Sequence, residues 1–154
     1  MAMHTWFECK IRYEKVMENG MQKKVTEPYL VDALSFTEAE ARIIEEMTPF
    51  ISGEFTVSDI KRANYSELFP SDEESADRWF KCKLIFITLD EKSGAEKKTS
   101  TQVLVQAADL RDAVKKLDEG MKGTMADYQI GMVSETPLMD VYPYSAEPND
   151  KPEF

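Results

Sequence analysis

The chain has 154 residues, of which 42% are hydrophobic, and its formal net charge is −10. This length can bury the core of an ordinary domain, while no apolar run approaches the ~20 residues of a membrane-spanning helix. The N-terminus also lacks the apolar stretch of a signal peptide, so we expect a cytoplasmic protein with no membrane partner. The acidity argues against a protein that coats duplex nucleic acid, although a locally basic face remains compatible with it.

A repeated segment organises the chain. The sequence WFECK at Trp6–Lys10 returns as WFKCK at Trp79–Lys83, an offset of 73 residues. The two halves stay in register at an offset of 73 or 74 over roughly 60 residues, which is typical of an internally duplicated fold. Features found in only one copy are therefore candidates for function.

The first strand of the first copy is predicted from alternation. Phe7, Cys9 and Ile11 alternate with charged residues, the period of a half-buried strand. Asn19-Gly20 predicts a tight hairpin, because both residue types tolerate positive φ. Pro28 lacks a backbone N–H, so the returning strand should begin there or lie at a sheet edge.

A helix follows the hairpin in each copy. Ser35, with Glu38 three residues later, predicts a capping box at its N-terminus. Apolar residues recur at helical spacing and form the inner stripe of each helix, namely Phe36, Ala39, Ile43 and Met47 in the first copy and Leu110, Ala113, Leu117 and Met121 in the second. A last strand is predicted from about Glu54, irregular near Asp59, and its counterpart from about Asp127.

These elements predict an α+β protein made by internal duplication of a ββαβ unit. The repeats are residues 1–70 and 78–142, joined by an acidic linker at 71–77 and followed by a flexible acidic tail at 143–154. One half exposes too much apolar strand surface to be stable alone. We therefore expect one integrated domain with antiparallel-rich sheets, two packed helices and a pseudo-twofold relation.

Signatures of enzymes are missing from the sequence. His4 is the only histidine, which leaves no His-based catalytic set and no multi-histidine metal site. Phosphate-binding, dinucleotide-binding and nucleophile-elbow motifs are also absent. Cys9 and Cys82 occupy equivalent apolar strand positions and are predicted to be buried thiols, not a disulfide. We expect no catalytic residue, metal or cofactor.

A candidate nucleic-acid face lies on the first strand of each copy. The side opposite the predicted core carries aromatic and basic residues: Trp6, Lys10, Arg12, Trp79, Lys81 and Lys83. Aromatic rings stack on bases and cations contact phosphates, which is the chemistry that single-stranded nucleic acid requires. The leading hypothesis is thus a non-enzymatic protein that binds single-stranded DNA on this face.

The same residues allow a second interpretation. The tryptophans can fill the strand starts or the junction between repeats, since aromatic strand residues are mostly core. Ile85 and Ile87 also lie on the outer side of the second copy. The alternative is therefore a protein-interaction or structural module, in which the outer faces form a dimer interface without nucleic acid. Burial of both tryptophans would remove the stacking surface from the first hypothesis.

Three segments carry a family resemblance: WFECKIRY at Trp6–Tyr13, KVTEPYLVDA at Lys24–Ala33 and SFTEAEA at Ser35–Ala41. Together they resemble a domain-of-unknown-function family of short proteins from Bacteroidetes and their phages. The likeness covers nearly the whole repeat region and implies no catalytic residue. A phage-linked distribution favours a role in DNA metabolism by association.

The C-terminal tail carries a second resemblance. It is acidic, contains proline and ends in Phe154, and so resembles the tail tip of bacterial single-stranded DNA-binding proteins, which recruits partner proteins. Glu153 stands between Pro152 and Phe154, a departure from the Pro-Phe ending of those tails. The resemblance implies that Asp150, Glu153 and Phe154 contact a replication or recombination protein.

Overall fold

The computed structural model describes residues 5–143. In chain order the elements are β1 (Trp6–Val16), β2 (Gln22–Asp32), α1 (Phe36–Met47), β3 (Phe55–Ala63), β4 (Glu67–Phe69), β5 (Arg78–Leu89), β6 (Glu96–Ala107), α2 (Leu110–Gly120), β7 (Asp127–Glu135) and β8 (Asp140–Tyr142). The described residues form two four-stranded, mostly antiparallel sheets with two helices. The predicted α+β class is confirmed.

The elements form two compact units. The first unit contains the chain up to Ala63 together with the segment from Leu138 onward, and the second runs from Asn64 to Pro137. The strand order is β3-β1-β2-β8 in the first sheet and β7-β5-β6-β4 in the second. Each strand thus has a counterpart at the same place in the other sheet. The internal duplication and the pseudo-twofold stay predictions.

The two sheets share an irregularity. The register between β1 and β3 shifts between Lys10 and Ile11, and that between β5 and β7 shifts between Lys83 and Leu84. These shifts leave Ser58 and Gly131 as the extra residues of two bulges. The irregularity predicted near Asp59 is therefore confirmed.

The fourth strand of each sheet departs from the predicted ββαβ unit. β4 follows β3 along the chain, but it pairs in parallel with β6 of the second sheet, with Phe69 opposite Val105. β8 follows β7 and pairs in parallel with β2 of the first sheet, with Tyr142 opposite Val31. The predicted first repeat, which extends to residue 70, therefore contains a strand of the second sheet. Strands of three residues are too short for the alternation that reveals longer strands.

In each unit a basic side chain of the helix binds the segment that follows the short parallel strand. Arg42 of α1 donates to the carbonyl oxygens of Asp32 and Pro143, and Pro143 comes directly after β8. At the equivalent position of α2, the Lys116 Nζ atom lies 3.1 Å from Ser71 Oγ and 2.8 Å from a carboxylate oxygen of Glu73. The two helices thus secure equivalent segments with different cations.

β1 and β2 form the predicted hairpin, in which Gly20 alone takes positive φ, at +82°. The strand predicted to begin at Pro28 begins earlier, at Gln22. The Pro28 carbonyl accepts a hydrogen bond from the Met139 N–H at 2.9 Å. This carbonyl therefore points away from β1. The N–H and C=O of one residue in an antiparallel strand point to the same side, so the N–H that Pro28 lacks would also point away from β1. The ladder with β8 begins only at Tyr29, so this proline breaks no ladder bond.

Each helix packs its central apolar residues on its own sheet. The buried helix-side residues are Ala39, Ile43 and Met47 in the first unit and Ala113, Leu117 and Met121 in the second. The first helical residue differs from the prediction, since Phe36 is 49% exposed and Leu110 52%. The Phe36 ring lies at the edge of the core, edge-on to Phe7 with centroids 4.9 Å apart.

Side chains cap both helices at their N-termini. Ser35 Oγ accepts from the Glu38 N–H at 3.1 Å, as the capping-box pattern predicts. In α2, Asp109 accepts from the Asp112 N–H at 2.8 Å, and the Asp112 carboxylate accepts from the Ala108 N–H at 2.9 Å. Asp112 therefore completes a reciprocal cap, and the hydrogen bond from the Ala108 N–H lowers the pKa of its carboxyl group. The negative charge of Asp112 also interacts favourably with the helix dipole.

The two cysteines are buried free thiols, as predicted. Burial raises the pKa of Cys9 to about 12 and that of Cys82 to about 11. Because the thiolate is the nucleophile, both residues should react slowly with iodoacetamide in the native protein. Mass spectrometry of labelling at about pH 8, below the ordinary thiol pKa, should show modification only in denaturant. Equal labelling rates with and without denaturant would contradict the buried positions.

Candidate binding surfaces

The two tryptophans do not offer open rings. Trp6 and Trp79 lie on the outer face of their sheets, the side away from the helix, where the alternation places them. Their exposed fractions are nevertheless only 3% and 6%. A base needs an accessible ring face for stacking. The predicted stacking surface is therefore absent, and the tryptophans belong to buried structure.

On the outer face of the first sheet, charges of both signs lie side by side. Lys10 lies opposite Asp59 of β3, and Glu8 lies opposite Lys61. Opposite charges at paired strand positions attract each other and reduce the field that a phosphate would meet. Arg12 is exposed farther along the strand. The candidate residues of the first sheet thus do not form a separate basic stripe.

The outer face of the second sheet has a different composition. Lys81 and Lys83 are half-buried on β5, and neither has a carboxylate opposite it on β6 or β7. Ile85 and Ile87 continue the same row of β5 and are also half-buried. We call the row Lys81, Lys83, Ile85 and Ile87, with its neighbours on β6 and β7, the second-sheet face.

A glycine makes room for one isoleucine of the second-sheet face. A Cβ atom on Gly131 would lie 2.9 Å from Ile85 Cδ1, closer than real Cβ contacts. In the present arrangement the end of the Ile85 side chain lies over the bulge residue of β7, in space that a larger side chain would share. Next to it, Met132 is 43% exposed and pairs with Lys83. The centre of this face is accordingly more apolar than the same region of the first sheet.

The helix side of the first sheet contains a cluster that the sequence did not predict. The hydroxyl groups of Tyr13 and Tyr29 both donate to Glu27 Oε1, at 2.9 and 3.2 Å. The ring of Tyr29 stacks on that of Tyr142, with centroids 6.1 Å apart and an interplanar angle of 20°. We call Tyr13, Glu27, Tyr29 and Tyr142 the tyrosine–carboxylate cluster.

The surroundings of this cluster favour protonated phenols. Burial first, and then the Glu27 carboxylate, raise the pKa of Tyr13 and of Tyr29 above the usual value. Burial, with the nearby charges of Asp140 and Glu46, raises the pKa of Tyr142 to about 12. The cluster therefore combines three neutral phenols with one carboxylate.

This arrangement predicts a loss of stability at alkaline pH. The folded-state pKa values lie above those of the unfolded chain, near 10, so these groups stabilise the fold fully below about pH 10 and lose that contribution as pH rises toward the folded values. The double variant Tyr13→Phe/Tyr29→Phe should show a smaller fall in unfolding free energy above about pH 9 than the parent. Urea denaturation over this pH range measures it, and identical slopes would contradict the prediction.

Some predicted residues lie outside the described part of the chain. Asp150, Glu153 and Phe154 of the tail belong to this group, as does His4. Within residues 5–143, no group of three or more His, Cys, Asp or Glu side chains could hold a metal ion. Neither helix in that range is long and apolar enough to cross a membrane.

The signal for the tyrosine–carboxylate cluster was present in the sequence as a difference between the copies. Glu27 pairs with Ile11 across the sheet, as Thr101 pairs with the equivalent Leu84. A carboxylate on the helix-facing side of a strand is unusual, because charged side chains are seldom buried. Its tyrosine partners could be recognised only once the strand register was known.

These features define an α+β protein of two sheet–helix units, each of which contains one short parallel strand. A family model described as a domain of unknown function (DUF4494) matches residues 5–144. The match covers most of the chain, so the chain belongs to this family. The resemblance of the three segments to a domain-of-unknown-function family is thereby confirmed. No curated protein matches the sequence.

Proposed function

We propose that this chain is a non-enzymatic interaction module that self-associates through the second-sheet face. The partner is a second copy of the chain, and the contact is made between two sheets packed face to face. The observation that carries the proposal is the apolar centre of this face, formed by Ile85, Ile87 and Met132. Burial of the tryptophans supports it, because the accessible outer surface then lacks the rings needed by a nucleic-acid platform.

Polar residues around the isoleucines favour a copy of the chain over an unrelated partner. Ile87 has Lys98 opposite it on β6 and Asp127 opposite it on β7, and both charged residues are exposed. A twofold axis parallel to β5 would place β6 of one copy over β7 of the other. Lys98 would then face the partner's Asp127, twice in each dimer, while isoleucine meets isoleucine. The contact is confined to the isoleucine end of the face, because the same axis would place Lys81 and Lys83 against the like charges of the other copy. That end complements itself under a twofold rotation, which is the requirement for an isologous dimer.

Sedimentation equilibrium tests this proposal. The expected result is a monomer–dimer equilibrium that depends on protein concentration at micromolar levels, a range typical of modest interfaces. The equilibrium should survive high salt, since its centre is apolar, while the Lys98–Asp127 contacts at its rim weaken. A single monomeric species at every concentration up to about 1 mM, where even weak interfaces associate, would exclude the proposal.

Single-stranded DNA binding remains a second candidate, carried by one observation. Lys81, Lys83 and Lys98 outnumber the carboxylates on the second-sheet face, although the whole chain is acidic. The lysines of such a face can follow a phosphate backbone without base stacking. Titration of labelled oligo-dT at about 50 mM salt, a condition that favours phosphate contacts, should then show binding with strong salt dependence. No binding under that condition would exclude this candidate.

The tail belongs to this second candidate. An acidic segment that carries Asp150, Glu153 and Phe154 can place an aromatic ring and a carboxylate in an apolar pocket with a basic rim. A replication or recombination protein would be its partner. Deletion of residues 143–154 should then abolish capture of that partner but leave oligo-dT binding unchanged. Loss of oligo-dT binding after the deletion would contradict this division of roles.

A further inference from the structure

The tyrosine–carboxylate cluster exists in only one of two equivalent places. The same positions of the second unit, identified by strand register, hold Phe86, Thr101, Val103 and Phe69. The second unit therefore fills this corner with apolar and small polar side chains. The fold does not require phenols and a carboxylate here. In the first unit they contribute to stability, and their polar groups are also available for a role beyond support of the sheet–helix scaffold.

The helix contributes to the difference between the two corners. In the second unit the Phe69 ring packs closely on α2, since a Cβ on Gly120 would lie 2.8 Å from the ring. The equivalent helix position in the first unit is Glu46, which already has a Cβ and a carboxylate. Tyr142 is the counterpart of Phe69 and stacks on Tyr29 instead. An aromatic pair flanked by carboxylates thus replaces a ring packed against glycine.

One oxygen of Glu27 has acceptor capacity left. Both phenols donate to Oε1, whereas Oε2 has the Lys15 Nζ atom at 3.7 Å, beyond good hydrogen-bond length. The Glu27 side chain is 12% exposed and that of Lys15 is 49% exposed. A largely buried carboxylate is stable when a cation pairs with it closely. The Lys15 ammonium group shows that a cation can approach this oxygen. At 3.7 Å the contact is loose, and Lys15 is half exposed.

We propose that the tyrosine–carboxylate cluster binds an organic cation, an ammonium or guanidinium group carried on an alkyl chain. The N–H groups of the ligand would donate to Glu27 Oε2, beside the phenol groups that donate to Oε1 of the same carboxylate. Asp140 and Glu46 add negative charge near Tyr142. Such a ligand is either a lysine or arginine side chain of a partner protein or a free polyamine. The proposal is independent of self-association, because it uses a different unit of the chain.

The test uses probes of matched shape. The full chain, with ring-labelled tyrosine, is titrated by NMR with N-acetyl-lysine methylamide, N-acetyl-arginine methylamide and spermidine, each up to about 20 mM because single cation sites bind weakly. N-acetyl-norleucine methylamide, which lacks the ammonium group, is the neutral control. We expect saturable shifts of the cluster's tyrosine signals with the cations and none with the neutral compound. Tighter binding of the amino-acid amides would indicate a protein side chain, and tighter binding of spermidine a free polyamine.

Three variants make the result decisive. Glu27→Gln keeps the size of the side chain and should weaken cation binding at least about tenfold, the loss expected for one charge-assisted contact. Lys15→Met removes the internal competitor and should tighten binding. Glu14→Gln, on the outer face of the same sheet, should leave binding unchanged. Equal binding by the parent and Glu27→Gln, or no saturable shift with any cation, would overturn the proposal.

Discussion

Replacement of Phe7 by alanine should lower the free energy of unfolding by about 3–5 kcal/mol, the range for a buried phenylalanine. The Phe7 side chain is fully buried and belongs to the core cluster beneath α1. Truncation removes its apolar contacts and leaves a cavity that the surrounding sheet can close only in part. Urea denaturation followed by circular dichroism measures the change. Phe80→Ala should have a similar effect, because Phe80 occupies the equivalent core position and is 2% exposed.

An exposed phenylalanine provides the matched control. Phe50 is 76% exposed after the end of α1, so Phe50→Ala should change the free energy of unfolding by less than about 0.5 kcal/mol. A loss below about 1 kcal/mol for Phe7→Ala would show that the residue is not in a packed core. A loss of several kcal/mol for Phe50→Ala would show instead that this ring is covered by other parts of the protein.

An aspartate at Ile85 should abolish self-association at concentrations where the parent is a dimer. Ile85 lies over Gly131 in the centre of the second-sheet face, and the twofold arrangement places it against its own copy. Two carboxylates would then be desolvated next to each other, a loss of at least about 2 kcal/mol or roughly 30-fold in affinity. Sedimentation equilibrium of the parent and of Ile85→Asp measures the difference.

The first sheet supplies the control for this experiment. Arg12 occupies the position equivalent to Ile85, so Arg12→Asp adds an aspartate at the same place of the other sheet. It should leave the dimer intact. Lys98→Asp and Asp127→Lys should each weaken the dimer, and the double variant should recover much of the affinity, because the paired charges then exchange signs. Equal effects of Ile85→Asp and Arg12→Asp would contradict a contact specific to the second sheet.

Alternation and turn chemistry were sufficient to predict the long elements. Phe7 and Cys9 point to the helix side because side chains alternate along a strand, and a hydrophobic stripe fixed the inner face of α1. Such local rules do not reveal partners distant in the chain. β4 and β8 were missed because three residues carry no periodicity, and because their partners β6 and β2 belong to the other predicted repeat, far away in the chain.

The candidate surfaces show the same limit. Alternation correctly placed Trp6 and Trp79 on the outer faces, but the direction of a side chain does not determine whether something covers it. Their burial is a tertiary property. Glu27 shows the converse case, since its phenol partners come from two strands and its surroundings depend on β8. A comparison of the two halves could have marked this position as different, but only the strand register identifies its neighbours.

Chemical cross-linking tests the second-sheet face as the contact between copies most directly. Ile85→Cys and Arg12→Cys each add one surface thiol, while the native Cys9 and Cys82 are buried. Because the side chains fill the gap of about 10 Å between facing sheets, the two thiols would lie close together, and mild oxidation should join two copies of Ile85→Cys as a disulfide rapidly and in high yield. The same treatment should leave Arg12→Cys without a covalent dimer. Absence of cross-linked dimer with Ile85→Cys, or equal yields for both variants, would contradict the proposed interface.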